Sequence, residues 1–591
     1  MSQVYVLPDY VRVNGLDGSL VEKTAPSFPK EQKISLESAR NQAVSFQIVI
    51  APQIGKLAKL EVETSCKNTD VFIEWFHDHL GMLVPDMLVP INESKRPFAI
   101  PLCEKYLSNQ KVGALWVDVW VPKETPVGKM EKTIAVKADG ETYEIKAEIN
   151  VRSMVVPDKS RITADLNNYS DNISPSFPHL KDNPDRYTDG SYLKVEQAMT
   201  RMAREHKSVF HLLPYRHSGV VQPGFAPTIE GAGKNMRIAS WEAYDEHFGP
   251  YLDGTVFKDC RFGDHPLEYL YLPFHLGWPA NYENFGKKGY RTEYRRILNE
   301  FIRHYEEKGW KDTKFEVFLN HKKDYRFFPY TVDEIWYEHD REAMDLFWEV
   351  IKDVYETSSA QFVFRIDDSN HYGNHYNSKF SDWCKLWIVG FGMFQWFPES
   401  IAVMNEKKAE TWVYGGIVQA LEADLTTLYS FPINCLMMGA TGFVAWNTTG
   451  FGPDPLKCPV NGGSELFFYS GDHFGIEGPV PSLRLKVLRN AMQLVDLVMT
   501  YKATPTSDQL DATVCRAYGK NSAADWWHEK PPFVNEPPRY WDFGESFGNW
   551  VNPPLDAGKP VDICHKLTKD LYDIMEDNTE ELSTGVVFRY Q

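Results

Sequence analysis

Gly442-Phe-Val-Ala-Trp446-Asn447-Thr-Thr-Gly450 is the stretch whose reading decides the fold. A short apolar run of β type ends in Trp446-Asn447, and a glycine-rich loop follows. Past Leu466-Phe-Phe-Tyr469 and Gly478-Pro479 comes a basic amphipathic segment, Ser482-Leu-Arg484-Leu-Lys486. Strand, loop and helix in that order are what the last β/α unit of a barrel requires, with an aromatic platform at the strand's C-terminal end. A planar apolar ring beside a hydrogen-bonding amide suits a sugar, which has both a CH face and a hydroxyl edge.

Upstream of this unit, β/α alternation runs back to about residue 160. Strands are expected at 163–166, 209–213, 269–272, 314–319, 361–366, 386–389, 411–414 and 441–446, with helical periodicity at 293–306 and 341–355. Eight such strands predict a (β/α)8 TIM-like barrel over 158–505. Residues 1–157 read differently. Period-2 runs such as Val44-Ser-Phe46-Gln-Ile48 and Leu115-Trp-Val117-Asp-Val119 are separated by turns such as Thr125-Pro-Val-Gly128, the pattern of a β-sandwich ending near Pro157. The C-terminal extension, 506–591, is aromatic-rich: Trp526, Trp527, Phe533, Tyr540, Trp541, Phe543, Phe547 and Trp550 are mixed with four prolines. That mixture excludes a regular helix or a central strand, while so many aromatics argue against disorder. It is expected to pack on the barrel, as a structured loop, a lid over the cleft or an arm to a second subunit.

The net charge of −18 argues against nucleic acid and anionic membranes as partners, since both favour a basic surface. The eight cysteines form no Cys-x-x-Cys pair, so neither a zinc site nor a disulfide framework is indicated. The most apolar run, 386–397, is too short to span a bilayer. The amino terminus, Met1-Ser-Gln-Val-Tyr-Val, lacks a leader pattern, so the expected location is cytoplasmic, although a chain already stripped of a leader would read the same. Neither nucleotide-binding glycine motifs nor His-Glu-x-x-His occurs, so no cofactor and no metal is expected. A homo-oligomer remains open.

Catalytic groups of a barrel come from the C-terminal ends of its strands. There the sequence offers Asn167-Asn168-Tyr169, Tyr215-Arg216-His217, Phe274-His275 with Gly277-Trp278, Asn320-His321-Lys322, Arg365-Ile-Asp367-Asp368, Tyr414 and Trp446-Asn447. Cleaving a glycosidic bond needs an acid for the leaving oxygen and a negative group for the oxocarbenium-like transition state. The best paired carboxylates are Asp333-Glu334, just before an amphipathic helix that Asp333 could instead merely cap. The second pair is Asp367-Asp368 beside Arg365, where mutual repulsion could raise one pKa or the arginine could keep one carboxylate ionised.

Over most of its length the chain resembles the glycoside-hydrolase-family-123-like proteins. Ser45-Phe46-Gln47, 116–122 and Pro126-Val-Gly128 look like that family's N-terminal sandwich. Thr411-Trp-Val-Tyr414, 442–447, 466–469 and Pro481-Ser-Leu-Arg-Leu-Lys-Val-Leu-Arg489 look like the end of its barrel. The resemblance implies a retaining, exo-acting β-N-acetylgalactosaminidase with substrate-assisted catalysis. The substrate's 2-acetamido oxygen attacks the anomeric carbon, an Asp steadies the amide, and the following Glu protonates the leaving oxygen. That pair carries over to Asp333 and Glu334. In the family it closes strand four and is followed by Pro. Here Asn320-His321 follow the strand, the carboxylates come well past it, and Ile335 replaces the Pro. Tyr414, Trp446 and Asn447 are then expected to hold the terminal sugar, with His275 and Trp278 as further contacts and Arg365 and Asp367 in reserve. Two alternatives stand beside this: a glycosidase for a sugar without an acetamido group, with Asp367 as nucleophile, or a noncatalytic carbohydrate-binding protein.

Overall fold

A computed structural model of the chain describes residues 2–530 and 562–578, apart from 24, 54, 65–66, 94–97, 217, 322–329, 336–338, 356–357, 359, 369–371, 416–420, 450–453, 455 and 458–465. The first strands are β1 (Gln3–Pro8), β2 (Lys33–Arg40), β3 (Gln42–Ala51), β4 (Leu57–Thr64), β5 (Thr69–His79), β6 (Met82–Pro90), β7 (Phe98–Ile100), β8 (Gly113–Val121), β9 (Gly128–Ala138) and β10 (Glu141–Val155). They form two five-stranded sheets, ordered β1-β3-β8-β5-β6 and β2-β10-β9-β4-β7. All their pairings are antiparallel except β2 with β10. Strand β8 is buried at every position, as befits a strand covered on both faces.

The next strands are β11 (Thr163–Tyr169), β12 (Val209–Leu213), a hairpin of β13 (Thr228–Glu230) and β14 (Arg237–Ser240), β15 (Tyr269–Tyr271), β16 (Lys314–Phe318), β17 (Gln361–Asp368), β18 (Cys384–Gly390), β19 (Glu410–Tyr414) and β20 (Gly442–Trp446). Apart from the hairpin they make one eight-stranded sheet, β12-β11-β20-β19-β18-β17-β16-β15, in which every pairing is parallel. Its two end strands, β12 and β15, come together, so the sheet is a nearly closed barrel with its strands in chain order. All eight expected strands are present, most shifted by a residue or two at one end. Helices such as Ser191–Glu205, Lys288–Lys308, Asp340–Tyr355 and Leu425–Met438 lie between successive strands. No described helix is long and apolar enough to cross a membrane.

Inside the barrel the inward side chains stack in layers, as period-2 alternation demands. A lower apolar layer holds Tyr269, Val363, Leu386, Ile388, Trp412 and Val444. An upper one holds Tyr169, Leu213, Tyr215, Tyr271 and Phe318, with Trp446 packed against it. Gly442 is required here: a Cβ at that position would fall 2.6 Å from Trp412 Cδ1, so its absence makes room for the indole.

After β20 come a small antiparallel pair, β21 (Phe468–Ser470) with β22 (Pro479–Pro481), and the helix Leu483–Tyr501. Ser482 caps that helix by accepting from Leu485 N–H. The basic residues noted in the sequence turn out to be buried between barrel and sandwich. Arg484 pairs with Asp86 at 2.7 Å, while Lys486 and Arg489 pair with Asp118 at 2.7 and 2.8 Å. Ser45 and Trp116 also donate to Asp118. These motifs therefore join two bodies and do not face the barrel mouth.

The described part of the C-terminal extension touches both bodies. Helix Ser507–Ala517 and Trp526–Trp527 lie on the barrel side, where Tyr518 donates to Ser430 and Trp527 packs 5.1 Å from Phe394. Helix Asp562–Glu576 instead reaches the sandwich through Arg152–Asp573 (2.7 Å) and Tyr572–Gln42 (2.9 Å). Phe533, Tyr540, Trp541, Phe543, Phe547 and Trp550 lie outside the described residues.

Candidate active site

The barrel's first and last strands are stitched together where they end. Asn447 N–H and Thr448 N–H both donate to Asn167 O, Asn168 Nδ2 donates to Thr448 Oγ1, and Thr449 Oγ1 donates to Asn168 Oδ1. The Asn-Asn and Thr-Thr pairs of the sequence thus close the seam. That closure leaves Trp446 at the rim, half-buried and edge-on to Tyr169 at 5.2 Å. Asn447 takes a left-handed backbone (φ 58°) and its Oδ1 accepts from Asn172 at 2.7 Å. Tyr414, at the end of β19, is half-buried above the lower apolar layer.

Beneath this rim is a buried polar layer whose acids and histidine were not singled out in the sequence. Asp165, His211 and Glu316 are buried, and Arg365 Nη1 lies 3.6 Å from Asp165 and 3.5 Å from Glu316. His211 lies 3.3 Å from Asp165 and 3.6 Å from Glu316, and it stacks on Tyr271 at 3.7 Å. Tyr271 accepts from both Asn167 and Arg365. Burial pushes Glu316 up to about 7, against the pull of His211 and Arg365. The signal was present: a single acid at an alternate position of Ala164-Asp165-Leu166 and of Phe315-Glu316-Val317 marks an inward polar residue within an apolar strand.

Arg365 also clamps Asp367 in a two-point ion pair, Nε to Oδ1 at 2.6 Å and Nη2 to Oδ2 at 3.0 Å. Asp367 is the more open carboxylate of its pair, its side chain 17% exposed. Asp368 points to the opposite face, fully buried against His375 Nδ1 at 2.9 Å. Alternation along β17 thus sends the two carboxylates to opposite faces, and of the two possibilities the sequence left open it is the pairing with Arg365 that is seen.

Asp333 and Glu334 are brought back to the end of β16. Val332 N–H and Asp333 N–H donate to the carbonyl of His321, at 2.8 and 3.3 Å. His321 is buried within 5.7 Å of the Tyr282 ring and 6.3 Å of His275, and its neighbour Asn320 donates to Tyr169. The pair thus returns to the fourth barrel strand despite its distance in sequence. The next described helix starts at Asp340, seven residues past Asp333. Glu334 has φ 52°, a left-handed backbone rarely adopted by a residue of its type.

The other expected contacts divide. His275 is buried on Tyr215 at 4.6 Å and accepts from Gly277 N–H through Nδ1. Trp278 is half-buried and lies edge-on to Phe274 at 5.1 Å and to Phe301 at 6.0 Å. Phe301 belongs to helix Lys288–Lys308. His217 and Lys322 lie outside the described residues. A cavity of about 520 Å³ opens elsewhere, between the sandwich and helix Asp562–Glu576, with Asp9, Glu37, Lys129, Tyr429 and His565 in its wall. None of the rim residues lines it. Among the described residues no group of acids, histidines and cysteines is arranged to hold a metal.

No family model matches the chain, and no curated protein matches it in sequence. Among solved structures, a family 123 glycoside hydrolase from Clostridium perfringens, studied for glycolipid glycan hydrolysis, superposes with a TM-score of 0.63 at 12% identity. The match covers 93% of this chain and 99% of the other. The two share a fold. A Bacteroides fragilis protein with a provisional alpha-galactosidase assignment covers 78% of this chain and 77% of its own at 10% identity. Its TM-score of 0.26 is too low to carry an argument.

Proposed function

We propose that this protein is a (β/α)8-barrel glycoside hydrolase, and that it removes terminal β-linked N-acetylgalactosamine with retention. The observation that carries the reading is the return of Asp333-Glu334 to the end of the fourth barrel strand, through the His321 carbonyl. The shared fold with a family 123 hydrolase, over nearly the full length of both chains, supports it.

In this reading Trp446 offers its ring to the sugar's CH face, while Tyr414 and Asn447 meet its hydroxyls. Asp333 accepts from the acetamido N–H and so aims the carbonyl oxygen at C1. That oxygen forms a bond to C1 as the bond to the leaving oxygen breaks, and Glu334 gives its proton to the departing group. Glu334, now a carboxylate, takes a proton from the water that reopens the cyclic intermediate, returning the β-anomer. No carboxylate of the chain needs to bond the sugar. Asp367, held by Arg365, serves as a hydrogen-bond acceptor at the mouth.

The test is turnover of aryl β-glycosides of N-acetylgalactosamine, N-acetylglucosamine, galactose and fucose by the purified protein. Cleavage of the N-acetylgalactosaminide and inertness of the galactoside are expected. Failure on all four sugars would count against any glycosidase reading. One observation favours a second reading: the two-point pair with Arg365 suits Asp367 to the part of an ionised nucleophile. Cleavage of the galactoside, lost in Asp367→Ala and partly restored by azide, would support that alternative.

A further inference from the structure

Three barrel strands turn polar side chains inward at alternate positions, and the period of two puts each pair on one face. The pairs are Asp165 and Asn167 on β11, Tyr269 and Tyr271 on β15, and Arg365 and Asp367 on β17. Leu166, Leu270 and Ile366 between them join the outer core. The three strands meet at one atom. The Tyr271 hydroxyl oxygen accepts from Asn167 Nδ2 at 2.5 Å and from Arg365 Nη1. A phenol oxygen has two lone pairs, so both are used.

From that oxygen two unbroken lines of contact reach the rim. On one side Arg365 grips Asp367, Nε to Oδ1 at 2.6 Å and Nη2 to Oδ2 at 3.0 Å. On the other, the Asn167 carbonyl accepts from Asn447 N–H at 2.8 Å. Asp367 belongs to β17 and Asn447 follows β20, and β18 and β19 separate those strands in the sheet. The relay therefore crosses the barrel interior beneath the mouth. Tyr271 itself is 2% exposed, and its ring stacks on His211 at 3.7 Å. Burial holds its phenol well above the usual range, against the pull of Arg365 and with the push of Asp165 and Glu316. The oxygen is thus an uncharged acceptor set between a cation and an amide. Asp165 and Glu316, 3.6 and 3.5 Å from Arg365 Nη1, hold that cation inside the barrel.

We propose that Tyr271 is a positioning residue for the sugar site: by accepting from Arg365 and Asn167 at once, its hydroxyl fixes the Asp367 carboxylate and the Asn447 backbone relative to each other. The inference rests on the glycosidase reading above and adds to it a residue that couples two groups assigned there to the substrate. A rim whose groups are set before the sugar arrives has less to order on binding.

The experiment is a pair of double-mutant cycles built from Tyr271→Phe, Asp367→Ala and Asn447→Gly. Tyr271→Phe keeps the ring on His211 and the charge of the site, and removes only the accepting oxygen. Asp367→Ala and Asn447→Gly each remove the group at one end of the relay, and glycine suits the left-handed backbone at 447. Tyr271→Phe is expected to raise KM for the aryl N-acetylgalactosaminide about three- to tenfold with kcat within about twofold, and to weaken a thiazoline inhibitor by the same factor. That factor should shrink at least about twofold when either end group is already gone. A merely structural role would lower the active fraction, reducing kcat at unchanged KM. That outcome overturns the proposal, as does a KM effect that keeps its full size in either background. Should Tyr271→Phe fail to fold, Arg365→Lys decides. It keeps a cation beside Asp165 and Glu316 but cannot grip Asp367 at two points while reaching the phenol. A rise in KM that shrinks in the Asn447→Gly background supports the relay, and a full-size effect there overturns it. Wild type inert toward every glycoside would instead overturn the glycosidase reading on which the inference rests.

Discussion

Glu334 combines an unfavourable backbone with the chemistry proposed for it. A left-handed backbone costs a residue with a Cβ about 1–2 kcal/mol, and here it falls on the acid next to Asp333, whose backbone N–H is tied to the strand end by the His321 carbonyl. If Glu334 is the general acid, Glu334→Gln should lower turnover by roughly 10²–10⁴-fold on natural glycans. The loss should be far smaller on dinitrophenyl glycosides, whose leaving group needs no proton. Asp333→Asn should hurt both substrates alike, because it weakens the internal nucleophile. Steady-state rates on the two substrate types separate these roles, and near-normal turnover of a natural glycan by Glu334→Gln would shift attention to Asp367. Glu74 tests a different property. It is fully buried without a hydrogen-bond partner among the described residues, and burial pushes it up to about 8, with Arg12 pulling down and Glu22 pushing up. The unfolded chain gives up this proton near 4.5 and the folded chain keeps it to about 8, so stability falls as pH rises across that window. The slope is at most about 1.4 kcal/mol per pH unit for one such group. Glu74→Gln should therefore flatten the decline of Tm between pH 5 and 8 and raise Tm at the upper end, as read by calorimetry. An unchanged profile would mean that the group is ionised in the folded protein.

Helix Leu483–Tyr501 shows how an element's pattern can mislead. Its Arg484, Lys486 and Arg489 make the segment read as basic and amphipathic, yet each is buried against an acid of the sandwich. Burial alone would raise Asp118, but Arg489 and Lys486 more than offset it and hold the carboxyl well below its usual range. The same burial lowers Lys486 to about 8. Removing one partner from such a cluster leaves the others charged in a dry interface, at a cost of about 3–5 kcal/mol. Asp118→Ala should lose that much in urea unfolding, and Asp118→Asn somewhat less. Within the barrel, β20 depends on Gly442. Gly442→Ala puts a methyl against Trp412 and should cost about 1–3 kcal/mol by overpacking. A smaller loss would indicate that the indole can shift in the lower layer.

The whole molecule is two bodies sharing one continuous apolar core, since sandwich, barrel and helix Asp562–Glu576 all contribute to the same cluster. The polar locks across the junction, Asp86–Arg484, Asp118–Arg489 and the Gln493 side chain with Ala43, point the same way. Residues 158–591 without the sandwich should therefore expose three buried cations and an apolar helix face, and should aggregate or unfold without a sharp transition. Size-exclusion chromatography with calorimetry reads this directly. A monomeric fragment that melts cooperatively would show that the barrel stands alone.

Periodicity made the sheets and the barrel strands legible, because alternation and β/α spacing are local consequences of which side chains must be buried. Trp446, Asn447 and Tyr414 were legible at the rim for the same reason: each follows an apolar run that had to end there. Three things depended on distant residues and so on tertiary structure. Asp333 returns to the end of β16 because a carbonyl of His321 accepts its N–H, a contact no spacing announces. Asp165, His211, Glu316 and Arg365 become one charge layer only when four strands close around a common axis. Arg12 and the basic residues of the last barrel helix look like surface charge in sequence. Arg12 is buried with its own Glu22 because two carbonyls of the barrel side take its remaining donors, and Lys486 and Arg489 are buried because the acid that neutralises them lies hundreds of residues away, in the other body.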